Sequence, residues 1–269
     1  MLDYAARRKV CEDTIARSHA VAASTPGGSL TNKWVMQQLD PLSTKDANFP
    51  NLTLQPIRVQ NSDAFALART LTPTTGKTGV LNLASSEEPG GGWRQTLSKT
   101  QEEALCYSST LYATLEPRYY PWSGTAGIIS PDVVVFKDTL ENGCVDLPSK
   151  ERHVLAVFTV AAPCWPGVTE DGENFSQEAV LRGVLRDLKE SILLILRMAA
   201  TTGVTNLVLG AMGCGAYGCP PRAVAHEMKK TLELVEFKGW FERVVFAVYA
   251  AGPSGQRNLE VFQQVFRGT

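Results

Sequence analysis

A chain of 269 residues, 44% hydrophobic and 20% charged, has room for one large domain or two small ones and the make-up of an ordinary globular protein. A formal net charge of −1 and a pI near 6.3 give no electrostatic reason for tight DNA or RNA binding. The opening residues are charged throughout and lack an apolar leader core, and the most apolar helical run, 192–200, contains Arg197 and is far too short for a bilayer. The expectation is an intracellular protein, cytoplasmic or nuclear, with no membrane partner.

Residues 1–75 read as a helical, loop-rich extension. A helix is expected over 4–22, broken by the Pro26-Gly27-Gly28 stretch, and a second over 61–70 with Ser62 as its N-cap. From Gly79 the pattern changes. Apolar runs at 80–84, 133–136, 154–161, 207–211 and 244–248 read as strands covered on both faces. Helices are expected between and after them at 101–115, 177–200, 221–236 and from 259 to the C-terminus, with Pro221 suited to a helix start. The alternation argues for a three-layer α/β/α domain with a mixed sheet over 76–269, against which the extension packs without folding alone.

Two glycine-rich stretches and a carboxylate pair stand out. Gly90-Gly91-Gly92 costs backbone entropy and is best explained where the main chain lies against a ligand. Glu102 and Glu103, at the start of the 101–115 helix, are candidate acid/base groups beside it. The bland reading of Thr100 to Glu103 is a capping box with Thr100 as N-cap and Glu103 at N3. Adjacent helical residues diverge by about 100°, so the two glutamates should differ in role.

The second stretch, Gly210 to Gly218, contains G-x-G-x-x-G between a strand and a helix. It lies near the chain's end, and the next strand lacks the acidic residue that would hold a ribose, which counts against a dinucleotide fold. What remains is a turn whose N–H groups can wrap phosphates, or simply a tight turn packed on the sheet. Gly76-Lys77-Thr78 lacks the earlier glycine of a P-loop and is a turn. Asn82 and Ser85 close the first core strand, where open sheets bind ligands; a local turn bond is the alternative for Asn82.

The six cysteines are scattered, with no C-x-x-C, and read as reduced thiols; Cys214 is a small buried thiol by default, with a nucleophile as the alternative. The three histidines show no metal-ligand spacing, so no structural zinc site is expected, and His226 is surface or packing; no cofactor is expected, the chemistry resting on carboxylates.

GGG, eight residues, then Gln101-Glu102-Glu103 resembles the signature of the microbial-type poly(ADP-ribose) glycohydrolases, a branch of the macrodomain superfamily. The likeness runs from about Gly79 to Gln256 and takes in Asn82, Ala84, the Gly213–Gly218 loop, the Gly252-Pro253-Ser254 turn and the helical extension. It implies a macrodomain-like fold and an exo-acting hydrolase of the ribose–ribose O-glycosidic bond, intracellular and monomeric, in the reversal of ADP-ribosylation and the DNA damage response. Poly(ADP-ribose) or ADP-ribosylated proteins would be its partners, and ADP-ribose its product.

Glu103 would be the acid, with a raised pKa, and Glu102 would orient the released ribose. Gly90, Gly91 and Gly92 would line the distal ribose, with Ser85 and Gln101 nearby. Gly213, Cys214, Gly215, Ala216, Tyr217 and Gly218 would hold the diphosphate, and Asn82 the distal ribose. Cys219 stands where the family has a polar residue, and Trp93 and Arg94 would narrow the site. Tyr249 and Phe158 are candidates to stack the adenine. The alternatives are a mono-ADP-ribosyl or ADP-ribose ester hydrolase, and a non-catalytic ADP-ribose reader.

Overall fold

The computed structural model describes residues 2–71 and 75–268. Residues 72–74, just before the division expected near 75, and the last residue of the expected C-terminal helix lie outside the described residues.

The order is α1 (Tyr4–Ser24), β1 (Lys33–Val35), β2 (Arg58–Gln60), α2 (Ala64–Thr70), β3 (Lys77–Ala84), α3 (Gln101–Ser108), β4 (Gly127–Val135), β5 (His153–Ala161), α4 (Gln177–Leu181), α5 (Val184–Thr201), β6 (Val204–Leu209), α6 (Pro221–Leu232), β7 (Arg243–Ala247) and α7 (Pro253–Val265). The strands form one seven-stranded sheet in the order β1-β4-β5-β3-β6-β7-β2. Pairing is antiparallel from β1 to β5 and parallel from β5 to β2, so the sheet is mixed, as expected.

Alternate side chains of each central strand enter opposite cores, as the two-residue period requires. Leu81, Phe158, Leu207 and Phe246 pack with α5, α6 and α7. Val80, Val157, Val208 and Val245 pack with α1, α2 and α3. The result is the three-layer α/β/α arrangement.

Both edge strands come from the first 75 residues, β1 against β4 and β2 against β7. The buried Arg197 of α5 ties this segment down further, donating to the Leu39 carbonyl at 2.8 Å while pairing with Glu236 at 2.7 Å. Within the apolar run this charge is therefore a clamp.

Several boundaries differ from the sequence reading. Asp63, not Ser62, caps α2, because its Oδ1 accepts the Ala66 N–H at 2.9 Å. The 177–200 helix is interrupted at Gly183, whose φ of +90° falls in the left-handed region. The 101–115 helix stops at Ser108 and resumes as a 3₁₀ turn at Leu111–Thr114. The last helix starts earlier than expected, at Pro253.

Candidate active site

β3 and β6 are hydrogen-bonded only as far as Val80 and Val208. Beyond that pair the strands part, and the side of β3 facing β6 needs other partners. Gln101 supplies them: its Oε1 accepts the Leu83 N–H at 2.9 Å and its Nε2 donates to the Leu81 carbonyl at 2.7 Å. One side chain thus imitates a strand and fixes the start of α3 against the strand end. A cavity of about 950 Å³ opens there, at the C-terminal ends of β3, β6 and β7.

With Gln101 anchored, the next two residues are aimed into the cavity wall. Glu102 is 3% exposed; its Oε2 accepts the Ser85 N–H at 2.7 Å and its Oε1 accepts from Asn82 Nδ2 at 3.1 Å. Glu103 is 4% exposed; its Oε1 accepts the Gly92 N–H at 2.9 Å, and its Oε2 accepts from the Thr100 hydroxyl. The capping box is therefore not formed. Thr100 makes no side-chain bond to the helix backbone, and the Glu103 carboxylate is spent on the glycine loop.

Although the two side chains leave the helix in different directions, both carboxylates arrive at Gly91. A Cβ there would lie 2.9 Å from Glu103 Oε1 and 3.0 Å from Glu102 Oε2, and its φ of +56° is left-handed. The glycine run is thus required by the glutamates themselves, as well as by the space it leaves in the cavity. Burial, the largest influence, raises Glu102 to about 8; the bonds from Ser85 and Asn82 oppose this, and the neighbouring Glu103 adds to it. The raised pKa thus falls on the glutamate cast as the orienting residue.

Of the expected site residues, Ser85, Gly91, Gly92, Gln101, Glu102, Glu103, Gly213, Gly215, Ala216 and Tyr217 line this cavity. Asn82 does not. It is fully buried behind Glu102, sharing its amide between that carboxylate and Thr159 Oγ1, and its Oδ1 has no hydrogen-bond partner among the described residues. Gly90 is behind the loop, with the Tyr112 ring 3.0 Å from where its Cβ would stand. Cys214 is buried, its thiol pushed up by burial and donating to the Met212 carbonyl at 3.4 Å, which fits the small buried thiol and not a nucleophile. Gly218 is not among the lining residues; its φ of +67° is left-handed, and a Cβ there would lie 3.0 Å from the Trp165 ring.

Tyr217 lines the cavity from the second glycine loop. Its hydroxyl accepts the Ser86 N–H at 3.3 Å, joining the second glycine loop to the segment after β3. Cys219 is buried, its thiol donating to the Pro163 carbonyl at 3.2 Å. It therefore faces the protein interior, and a polar residue at that point would not face the cavity.

Trp93 and Arg94 do not narrow the site. Trp93 is fully buried, packed at 5.9 Å from Tyr107 and 4.6 Å from Tyr112, and Arg94 lies over Tyr112. Phe158 is core and cannot stack a ligand, whereas Tyr249 stands on the cavity wall, 44% exposed. The sequence reading missed Asp63, Glu141 and Asn258, which also line the cavity. They come from three distant parts of the chain, and no local pattern joins them.

A family model, "Microbial-type PARG, catalytic domain", matches residues 15–138, which carry the first glycine run and both glutamates. The poly(ADP-ribose) glycohydrolase crystal structure from Thermomonospora curvata is similar over 96% of this chain and 98% of its own, at 26% identity and a TM-score of 0.73. That from Deinococcus radiodurans in complex with ADP-ribose is 31% identical, with a TM-score of 0.68 over 82% of this chain and 87% of its own. A curated relative, the O-acetyl-ADP-ribose deacetylase of Enterobacter sp. (strain 638), is 33% identical over 121 residues. That match takes in 45% of this chain and 55% of the relative, so the chain spans about half of that relative's length.

Proposed function

The chain belongs to the microbial-type poly(ADP-ribose) glycohydrolases, and on that footing we propose that it hydrolyses the ribose–ribose O-glycosidic bond of poly(ADP-ribose), releasing ADP-ribose from the polymer end. The observation that carries this reading is the convergence of the Glu102 and Glu103 carboxylates beside Gly91, on the wall of a cavity at the strand ends.

Glu103 gives its proton to the departing ribose oxygen as the glycosidic C–O bond breaks, and the same carboxylate then takes a proton from the water that adds to the cationic sugar. Glu102 accepts the Ser85 N–H and holds a ribose hydroxyl. Burial raises the Glu102 carboxyl to about 8, so the buried pair binds one proton at neutral pH, and that shared proton reaches the departing oxygen through Glu103. The N–H groups of the Gly213–Gly218 loop hold the diphosphate, whose charge stabilises the oxocarbenium-like transition state. Asn82 positions Glu102 from behind, in place of a direct ribose contact. Tyr217 covers the diphosphate, and Tyr249 faces the base.

A volume of about 950 Å³ suits one ADP-ribose unit, which favours the exo mode. The chain's own groups suffice for this chemistry without a cofactor. The polymer and the proteins carrying it are the partners, and residues 1–75 fold with 76–269 as one monomeric, intracellular unit.

The test is incubation with poly(ADP-ribose)-modified protein, following free ADP-ribose. Monomer as the sole early product supports the proposal, and no release sinks it. The deacetylase relative favours a second reading, hydrolysis of an ADP-ribose ester. Turnover of O-acetyl-ADP-ribose without polymer cleavage would select that reading.

A further inference from the structure

We propose that Trp165 is a stacking platform for the adenine of the unit on the leaving side of the scissile bond, a polymer-binding subsite outside the cavity. This inference rests on the glycohydrolase reading above. Trp165 follows β5 and is 75% exposed, yet its backbone is held in the left-handed region at φ +47°. Its backbone N–H donates to the Tyr217 carbonyl at 2.9 Å. Its six-membered ring lies against Gly218, where a Cβ would come within 3.0 Å. The backbone of Trp165 is thus tied to the second glycine loop and one edge of the indole packs beside Gly218, while most of its surface stays open.

Its position relative to the acid site follows from three bonds. Trp165 is held to Tyr217, the Tyr217 hydroxyl accepts the Ser86 N–H, and the adjacent Ser85 N–H is bound by Glu102. Trp165 follows β5 and Tyr249 follows β7, with β3 and β6 between them in the sheet, so the platform stands on the far side of the Glu102 strand end from Tyr249. In the proposed reaction the cavity holds the terminal ADP-ribose. The ribose oxygen that leaves belongs to an adenosine, whose base lies one sugar ring from the broken bond.

Every nucleobase offers a π-face, and an exposed, pre-ordered indole is a suitable partner at small entropic cost. Charge selects the base over its phosphates. Glu87 and Glu88, both exposed, follow Ser86 at the cavity's edge, and Glu87 is close enough to act on the thiol of Cys164, next to Trp165, so their carboxylates disfavour a diphosphate there.

The test compares wild type, Trp165→Ala and Trp165→Phe in polymer cleavage. The same substitutions in a Glu103→Gln background are compared in binding ADP-ribose and a short, uncleaved poly(ADP-ribose) oligomer. The expected result for Trp165→Ala is an about tenfold higher KM for polymer and an about tenfold weaker oligomer affinity, the order expected of one stacked base. ADP-ribose affinity should be unchanged, and phenylalanine should restore most of the loss.

Unchanged oligomer affinity would overturn the proposal. So would an equal loss for ADP-ribose, which would make Trp165 a prop for the glycine loop. If wild type failed to cleave polymer while the oligomer preference still depended on Trp165, the glycohydrolase reading would fall and the platform would stand.

Discussion

Glu103 Oε1 accepts the backbone N–H of Gly92 at 2.9 Å, so the helix that carries the proposed acid and the loop that borders it form one unit. Between them the chain makes a turn in which Thr96 and Leu97 both return N–H groups to the Gly92 carbonyl, at 3.0 and 2.9 Å. Residue 92 is thereby held on both sides of its peptide frame, and its neighbour Gly91 is pressed against both carboxylates. A side chain at residue 91 would press on both carboxylates.

Gly91→Ala is the direct probe of that closeness. The new methyl would meet oxygens of both glutamates near 3 Å, at a φ of +56° that alanine adopts at a cost. We expect kcat to fall about 10²-fold, since displacement of a catalytic group by a fraction of an ångström to an ångström has effects of this order. The thermal midpoint should change by only a few degrees. Activity within threefold of wild type would show that the carboxylates do not need this approach.

Glu102 makes stability depend on pH in a defined sense. Its folded pKa, about 8, lies above its ordinary value of 4.5, so the unfolded chain loses this proton first. The neutral side chain's contribution is complete below the ordinary value and is lost as pH rises toward and through the folded one. The difference in unfolding free energy between wild type and Glu102→Gln should therefore move against wild type across that window in the ligand-free protein. A difference flat with pH would contradict the assignment.

Gln101→Ala should cost about 2 kcal/mol in urea unfolding, because the Leu81 carbonyl and Leu83 N–H lose their partners where β6 has already left. Activity should fall as well, since the same bonds aim Glu102 and Glu103. A change below about 0.5 kcal/mol would mean that the strand edge finds water instead.

Much of the fold was legible in the sequence because the central strands are continuous apolar runs and the layers follow from their alternation with helices. The edge strands were not. Lys33–Val35 and Arg58–Gln60 are three residues each, and only their pairing with β4 and β7 makes them strands. Ser62 and Asp63 are both good cap formers, and the reach of one side chain to Ala66 decides between them.

At the site, the glutamates and both glycine loops could be read from type and spacing. The function of Gln101 could not, because it depends on the point where β3 and β6 separate. Trp93 lies in a turn with no periodicity to indicate its facing, so its burial was invisible. Asp63, Glu141 and Asn258 meet across the cavity only through the topology.

The central claim is that Glu103 carries the proton to the departing ribose oxygen. The most direct measurement compares wild type with Glu103→Gln in ADP-ribose release from poly(ADP-ribose)-modified protein, alongside calorimetric binding of ADP-ribose to both. The account predicts a loss of release of about 10²–10⁴-fold in the variant, the range for removing a general acid, with ADP-ribose affinity within a few-fold of wild type. Release by the variant at a rate near wild type would contradict it and move the proton transfer to another group.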